Sequence, residues 1–309
     1  MPPYQPGISY LTGCTLVVLG GLVFSLGVLC IRGAGDIDAW QYLTWRGLGI
    51  AIALGAMGLW QRGPALIGHI RRMHGFAWLA VVAMVVSQIG FIIAVQSTTV
   101  AEVFFLFSLA PLMAAVIARP LLGERIGTLG ALAIVLAIGG VLLMSGLAGS
   151  SASPHTSATA WTGRIMSLVG ALSFALYSLA IRGARREDID PALVACGVLT
   201  FIVSICVLTL RGTPLVTNPT SMALAFTHGA IVLSLGLVLL SRGSNVVPAV
   251  ALLMLAQTET IAAPIWAWAF FGEVTTLPVI AGGALILSGV VLQGIDGARE
   301  AERRRAAAG

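Results

Sequence analysis

The sequence predicts an all-α integral membrane protein: ten transmembrane helices in two inverted five-helix repeats, with both termini cytoplasmic. Three observations carry this expectation. Hydrophobic residues are 58% of the 309 and charged residues only 9%, where a soluble chain carries about 25% charged. Mean hydropathy is +0.99, and the apolar runs are about 20 residues long, the length of a spanning helix rather than of a barrel strand. Motifs of the first half also recur in the second at a nearly fixed spacing.

Hydropathy and turn residues set the candidate helices at 9–31, 40–60, 76–96, 98–118, 126–147, 161–182, 191–210, 222–241, 246–271 and 275–294. The first run has no positive region before it and is too long for a signal peptide, so it is expected to stay as a span. Most connections are short. The longest polar one, AGSSASPHTSATA at 148–160, separates a first five-helix repeat, 1–147, from a second, 161–296, and a basic tail follows at 297–309.

FSLGVLCIRGA at 24–34 matches FALYSLAIRGA at 174–184, LLGE at 121–124 matches FFGE at 270–273, and Gly140 matches Gly289, all at shifts of 149 or 150. Five is odd, so the second half enters from the opposite side. Secondary transporters with this inverted repeat place their site between the halves, near the midplane. With the N-terminus inside, cytoplasmic segments hold Arg62, Arg71, Arg72, Arg119, Arg125, Arg182, Arg185, Arg186, Arg242 and the Arg residues of the tail. The outer loops and flanks hold Arg32, Arg164 and Arg211. That asymmetry sets the orientation.

The net charge of +5 and pI near 9.5 do not indicate a nucleic-acid partner, because the charge lies in short loops between spans. All 17 basic residues are Arg. Without Lys there is no Walker A loop and no Schiff-base chemistry, so ATP-driven transport by this chain alone is not expected. Cys14, Cys30, Cys196 and Cys206 fall in apolar runs and read as small buried hydrophobes. His69, His74, His155 and His228 are scattered, so no metal site and no cofactor is expected.

Ten helices, two inverted halves and a Gly-Glu step before the last helix of each half resemble the drug/metabolite transporter superfamily, specifically its EamA-type exporters. LLGERIGTLGALAIVLAIGGVLL at 121–143 is the most specific match, and Arg46 fits that family's habit of an Arg in the second span. FFGEVTT lacks the basic residue after its Glu, and TETIAAP stands where the first half has the plainer SLAP, 108–111. Within the family, the bacterial exporters of aromatic and other amino acids look nearest. The resemblance implies a central cavity lined by spans 1, 3, 4, 6, 8 and 9.

Candidate site residues follow from polar groups at membrane depth. Glu259 lies near the middle of the ninth apolar run, a position costing about 2.5–3.5 kcal/mol on insertion scales. Gln257 precedes it, and Pro264 is expected to kink the helix beside it, since Pro removes the bond to the carbonyl of Thr260. Glu259, Ala263 and Trp266 share a face, so a substrate amine held by the carboxyl would meet an indole. The bland reading is a protonated structural carboxyl. Arg46 and Glu102 enter from the outer side at similar depth, either as a helix-fixing ion pair or as receivers of the two ends of a zwitterion.

Phe105 follows Glu102 on one face, and Pro111 is a second candidate hinge beside Pro264. Gln88, Tyr177, His228 and Ser234 read equally as interhelical bonds or cavity lining. Glycines in the fifth and tenth spans suit close helix packing. Glu124 and Glu273 read as structural carboxylates in first helical turns, and Trp40, Trp60, Trp78 and Trp161 as interface belts.

The expected protein is a multi-pass transporter of a bacterial inner membrane, secondary-active or facilitative. It exports small metabolites, amino acids foremost, with the lipid bilayer as partner, a coupled proton as a further one, and a monomer or homodimer as the assembly. Drugs, nucleosides or other metabolites are the alternative cargo. An intramembrane enzyme or a membrane scaffold is the alternative class; the first needs a catalytic constellation that is not apparent, and the second needs no inverted repeat.

Overall fold

The computed structural model describes residues 9–122, 128–147, 157–244, 246–247 and 249–308. These form helices and short connections, with no strand among the described residues. Span one comprises α1 (Tyr10–Ser25) and α2 (Gly27–Gly33), offset at Leu26. Next come α3 (Ala39–Arg62), a short amphipathic α4 (Ala65–Arg72) not expected from hydropathy, and α5 (Gly75–Ser97). Span four divides into α6 (Val100–Phe107) and α7 (Ala110–Leu122), and α8 (Thr128–Leu147) completes the first half.

The second half starts with α9 (Ser157–Gly183), whose first residues fall inside the stretch read as linker, then α10 (Ile189–Arg211). Span eight runs through α11 (Pro219–Thr227), a π-helical turn at His228–Leu233, and α12 (Ser234–Ser244). The ninth run is two helices, α13 (Ala249–Ala256) and α14 (Thr258–Phe271), and α15 (Leu277–Ala308) extends through most of the tail. Eight described helical stretches are long and apolar enough to cross a membrane; Thr128–Met144 is a shorter apolar helix. The protein is an all-α multi-pass membrane protein.

Local chemistry sets these boundaries. Asp38 and Gln41 form a capping box at the start of α3, and Thr99 and Asn218 cap α6 and α11. Gly212 and Gly272 end α10 and α14 at φ of +65° and +64°, a left-handed conformation in which a Cβ is costly.

The helices pack in pairs that exchange when the halves are exchanged. The longest contacts are α5 with α9, α8 with α15, α3 with α10 and α1 with α12, and α6 meets α14. Close approach needs glycine. A Cβ on Gly47 would lie 2.8 Å from the Phe201 nitrogen and 3.2 Å from the Gly197 carbonyl oxygen, and Gly47 and Gly197 stand 150 residues apart. A Cβ on Gly140 would fall 2.5 Å from the Gly282 oxygen, and one on Gly289 2.7 Å from the Ala133 oxygen. Adding 149 to 133 and 140 gives 282 and 289, so one crossing maps onto the other.

Two ends of the bundle can be told apart. At one, which we call the Thr98 end, Gln96 bonds the Ile37 carbonyl at 3.1 Å, Gln41 bonds that of Pro214 at 2.6 Å, and Ser221 bonds that of Ala34 at 2.7 Å. At the opposite end, Arg62 pairs with Asp190 at 2.8 Å, and the His74 N–H donates to Asp188 at 3.2 Å. Exposed Ile, Leu and Val side chains cover the outer faces of the helices, as lipid contact requires.

Candidate functional site

The site is best built inward from the Thr98 end, where the helix tips carry ion pairs. Arg32, at the end of α2, reaches Glu273 in the connection between α14 and α15, with Nη2 to Oε2 at 2.9 Å. The same guanidinium donates to the Thr98 carbonyl at 2.8 Å. Glu273 also accepts from the backbone N–H of Val100, the first residue of α6. Thr98 donates its hydroxyl to Glu102, whose other oxygen pairs with Arg164 of α9 at 2.8 Å. Glu273 therefore does not open a helix as expected, because α15 begins only at Leu277. Glu124 lies outside the described residues.

Below this rim is a packed apolar plug. Val28 and Ile31 of α2, Tyr42 and Leu43 of α3, Ile92 and Val95 of α5, Val103 and Phe104 of α6, Ala225 of α11 and Ala263 and Ala267 of α14 are all buried in one cluster. Phe91 sits edge-on to Phe104 and Phe107, at centroid distances of 5.4 and 5.1 Å, tightening the same region.

One turn further from the Thr98 end, five helices each present a polar side chain. Ser25 precedes Val28 by three residues, Arg46 follows Tyr42 by four, Gln88 precedes Ile92 by four, His228 follows Ala225 by three, and Glu259 precedes Ala263 by four. At 1.5 Å per residue, each sits about 4–6 Å beneath its plug neighbour. Ser25 accepts from the indole N–H of Trp266 at 2.9 Å. The Tyr42 hydroxyl and His228 Nδ1 are 2.8 Å apart, and the His228 ring lies against Gly27 just beyond the α1–α2 offset.

Arg46 is the clearest anomaly. Its residue is 4% exposed, and Nη1 donates to Gln88 at 2.9 Å, while Gln88 in turn contacts the Cys196 sulfur at 2.8 Å. Its Nε has no hydrogen-bond partner, and no described carboxylate pairs with it. Of the two alternatives for Arg46 and Glu102, the ion pair does not form, Glu102 being taken by Arg164. A buried guanidinium with only neutral partners is expensive unless a counter-charge arrives. On α10, one turn apart, Thr200 and Ser204 are also fully buried with unpartnered hydroxyls. Elsewhere Thr44, Ser167 and Ser178 each return a bond to the carbonyl four residues back.

Glu259 differs in kind. It stands in the first turn of α14, directly after the offset at Gln257, and its carboxyl meets no described hydrogen-bond or ion-pair partner. The lipid-facing stripe of α14 is Ile261, Ile265 and Trp268, at 55, 51 and 62% exposure. Glu259 is two residues, about 200° of helix, from Ile261 and so points away from lipid. Gln257 is half-buried and accepts from Thr260 at 3.1 Å.

Several sequence candidates fall elsewhere. Phe105 lies flat on Gly283 of α15, where a Cβ would meet its ring at 2.4 Å, so it belongs to the α6–α15 packing. Ser234 bonds the Gly229 carbonyl at 3.3 Å and closes the π-turn. Tyr177 is half-buried and rings with Phe174 at 5.6 Å. Pro111 sits in the first turn of α7, just past the break at Ser108–Leu109, whereas α14 runs unbroken through Pro264. The offset in span nine falls at Gln257, 149 residues after Ser108, so equivalent positions break in both halves. Cys206 is exposed and Cys14 half-buried; Cys30 and Cys196 are buried. Sequence reading missed Arg164 and Arg32 as site-end residues, although FFGE and IRGA had already marked Glu273 and Arg32 by repetition. A cleft of about 450 Å³ at the Thr98 end is lined by residues including Asp36, Thr217 and Asn218 and touches none of the candidate residues.

Helices interrupted near buried polar side chains are a feature of membrane proteins that move small solutes between helices. The EamA-like transporter family model matches residues 11–146 and 161–294, and the chain belongs to that family. An uncharacterized transporter of Archaeoglobus fulgidus is 27% identical over 210 residues, covering 66% of this chain and 70% of its own. A chain of known crystal structure superposes with a TM-score of 0.61 at 15% identity, over 93% of this chain and 98% of that one, a likeness of fold alone.

Proposed function

We propose that this transporter of small molecules exports amino acids across a bacterial inner membrane, by alternating access around a cavity between two inverted five-helix halves. The observation that carries the reading is the polar level beneath the plug. It holds a cation without a described acid, Arg46, and an acid without a described partner, Glu259, on opposite halves. A cargo bearing both signs suits that wall, because each of its charges finds an opposite one where water is scarce. Trp266 stands on the Glu259 face for an apolar or aromatic side chain. Paired crossings such as Gly140 with Gly282 and Gly289 with Ala133 support the two-fold relation of the halves, and the Arg distribution supports an outward-facing Thr98 end.

Counterflow into liposomes tests this directly. An aromatic amino acid, its decarboxylated amine and its deaminated acid are offered at equal concentration. Exchange of the amino acid at least tenfold above both single-charge analogues is expected. Equal exchange of the amine and the amino acid would remove Arg46 from the site and the amino-acid reading with it.

A further inference from the structure

The ion pairs at the Thr98 end form one connected device. Thr98 supplies its carbonyl to Arg32 and its hydroxyl to Glu102, so the Arg32–Glu273 and Arg164–Glu102 pairs meet on a single residue at the corner between α5 and α6. Glu273 adds a bond to the Val100 N–H, tying the connection before α15 to the N-terminus of α6. Helix ends from both halves, α2 and α6 from the first and α9 and the α14–α15 connection from the second, are thereby fastened together over the plug.

Two further observations indicate that this fastening is one state of a pair. The helices that carry it are interrupted further into the bundle, at Leu26 in span one, at Ser108–Leu109 in span four and at Gln257 in span nine, the last of these the full length of α14 away from Glu273. Beyond Gln257, α14 packs against α1, α2 and α6. On the far side of the interruptions, the main contacts of α7 are with α9 and α15, and those of α13 are with α1, α14 and α15. The sequence repeat also maps Arg32 of IRGA onto Arg182 of the second IRGA, 150 residues on. Arg182 lies at the opposite end, exposed, and no described residue pairs with it. Among the described residues, the same residue type is paired at one end and without a partner at the other.

We propose that Arg32–Glu273, coupled through Thr98 to Arg164–Glu102, is the latch that closes the cavity toward the Thr98 end and opens to release cargo there. The pair is suited to this role because it is intermediate in burial, with side chains 18 and 11% exposed. A fully dry pair resists opening and a fully solvated one holds little. The plug supplies the water seal and the latch supplies the choice of state. This rests on the reading that the cavity lies between the halves, and it leaves the identity of the cargo open.

Cys30 is a built-in reporter, because it lies within the plug layer of α2 and is 8% exposed. The test is the rate at which a charged, membrane-impermeant thiol reagent modifies Cys30 in the full-length protein in proteoliposomes, with the modified residue identified by mass spectrometry. Glu273→Gln and Arg32→Gln are each expected to raise that rate at least tenfold. Thr98→Val, which removes only the hydroxyl link, gives a smaller rise. The exchanged pair, Arg32→Glu with Glu273→Arg, returns the rate to within about threefold of wild type.

Unchanged Cys30 labelling in folded Glu273→Gln and Arg32→Gln would overturn the latch. So would an exchanged pair that folds and labels as fast as the single variants. If a single variant does not fold, Thr98→Val and the exchanged pair still decide. Reagent is added from each side in turn. Acceleration is expected from the Thr98 side; acceleration only from the side of the termini, which the fold places at the opposite end, would also overturn the latch. Either result leaves the cargo to the counterflow assay, so the two readings fail separately.

Discussion

Glu259 is a residue whose tolerance in an apolar helix follows from where it points. Lipid meets Ile261, Ile265 and Trp268, while Glu259 faces inward at the start of α14, where a carboxylate also gains from the helix dipole. Glu259→Gln keeps shape and hydrogen-bonding capacity but abolishes titration. Counterflow is expected to fall at least tenfold while the melting temperature stays within a few degrees. If the residue carries a proton, the pH dependence of net flux disappears as well; if it holds an amine, affinity weakens instead. The Glu102–Arg164 pair makes a different prediction, since side chains 5 and 11% exposed leave a stranded charge when one is removed. Glu102→Gln should cost about 3 kcal/mol of stability, and Glu102→Gln with Arg164→Gln should recover much of it. Thermal unfolding in detergent measures both. Arg46→Gln should combine additively with Glu102→Gln, because the two residues do not touch.

Several helix crossings in this protein depend on close backbone approach at glycine. The α3–α10 crossing at Gly47 and Gly197 leaves no room for a methyl group, with the Phe201 nitrogen 2.8 Å from where the Cβ would be. Gly47→Ala is expected to push the helices apart and lower stability by about 1–3 kcal/mol. Gly139→Ala meets nothing within 4 Å, so helix propensity makes it neutral or stabilising by up to about 1 kcal/mol. A paired melting measurement on the two variants separates packing from propensity. The short α7, beginning with Ala110 and Pro111, shows why Pro at the start of a helix serves a break so well: its missing N–H would be unsatisfied there in any case. Pro264 has no such position, and the offset forms seven residues earlier.

At the scale of the whole molecule, orientation is the testable quantity. Arg residues crowd one end of the bundle in the sequence, and the Arg62–Asp190 and His74–Asp188 contacts lie at that end. Single Cys labels near Arg71, near Arg185 and in the tail should resist an impermeant reagent in intact cells, whereas one at Thr217 should react. Labelling of any of the first three from outside contradicts the proposed topology.

The sequence by itself determined the class and the family. Scarcity of charge, apolar runs of spanning length and the LLGERIG stretch are local properties, and a bilayer acts on them locally, one helix at a time. It also singled out Arg46 and Glu259, because any ionisable group at that depth needs a reason. Which groups meet was decided only in three dimensions. Glu102 found Arg164 rather than Arg46, Glu273 found Arg32 rather than a helix dipole, and Phe105 found Gly283 rather than a cavity. Those partners come from α9, α2 and α15, distant in sequence or in the other half, and hydropathy does not say which helices are neighbours. The pairing of α5 with α9 and α8 with α15 decides that, because helix–helix contact in lipid depends on close-fitting small faces rather than on apolarity, which every span shares.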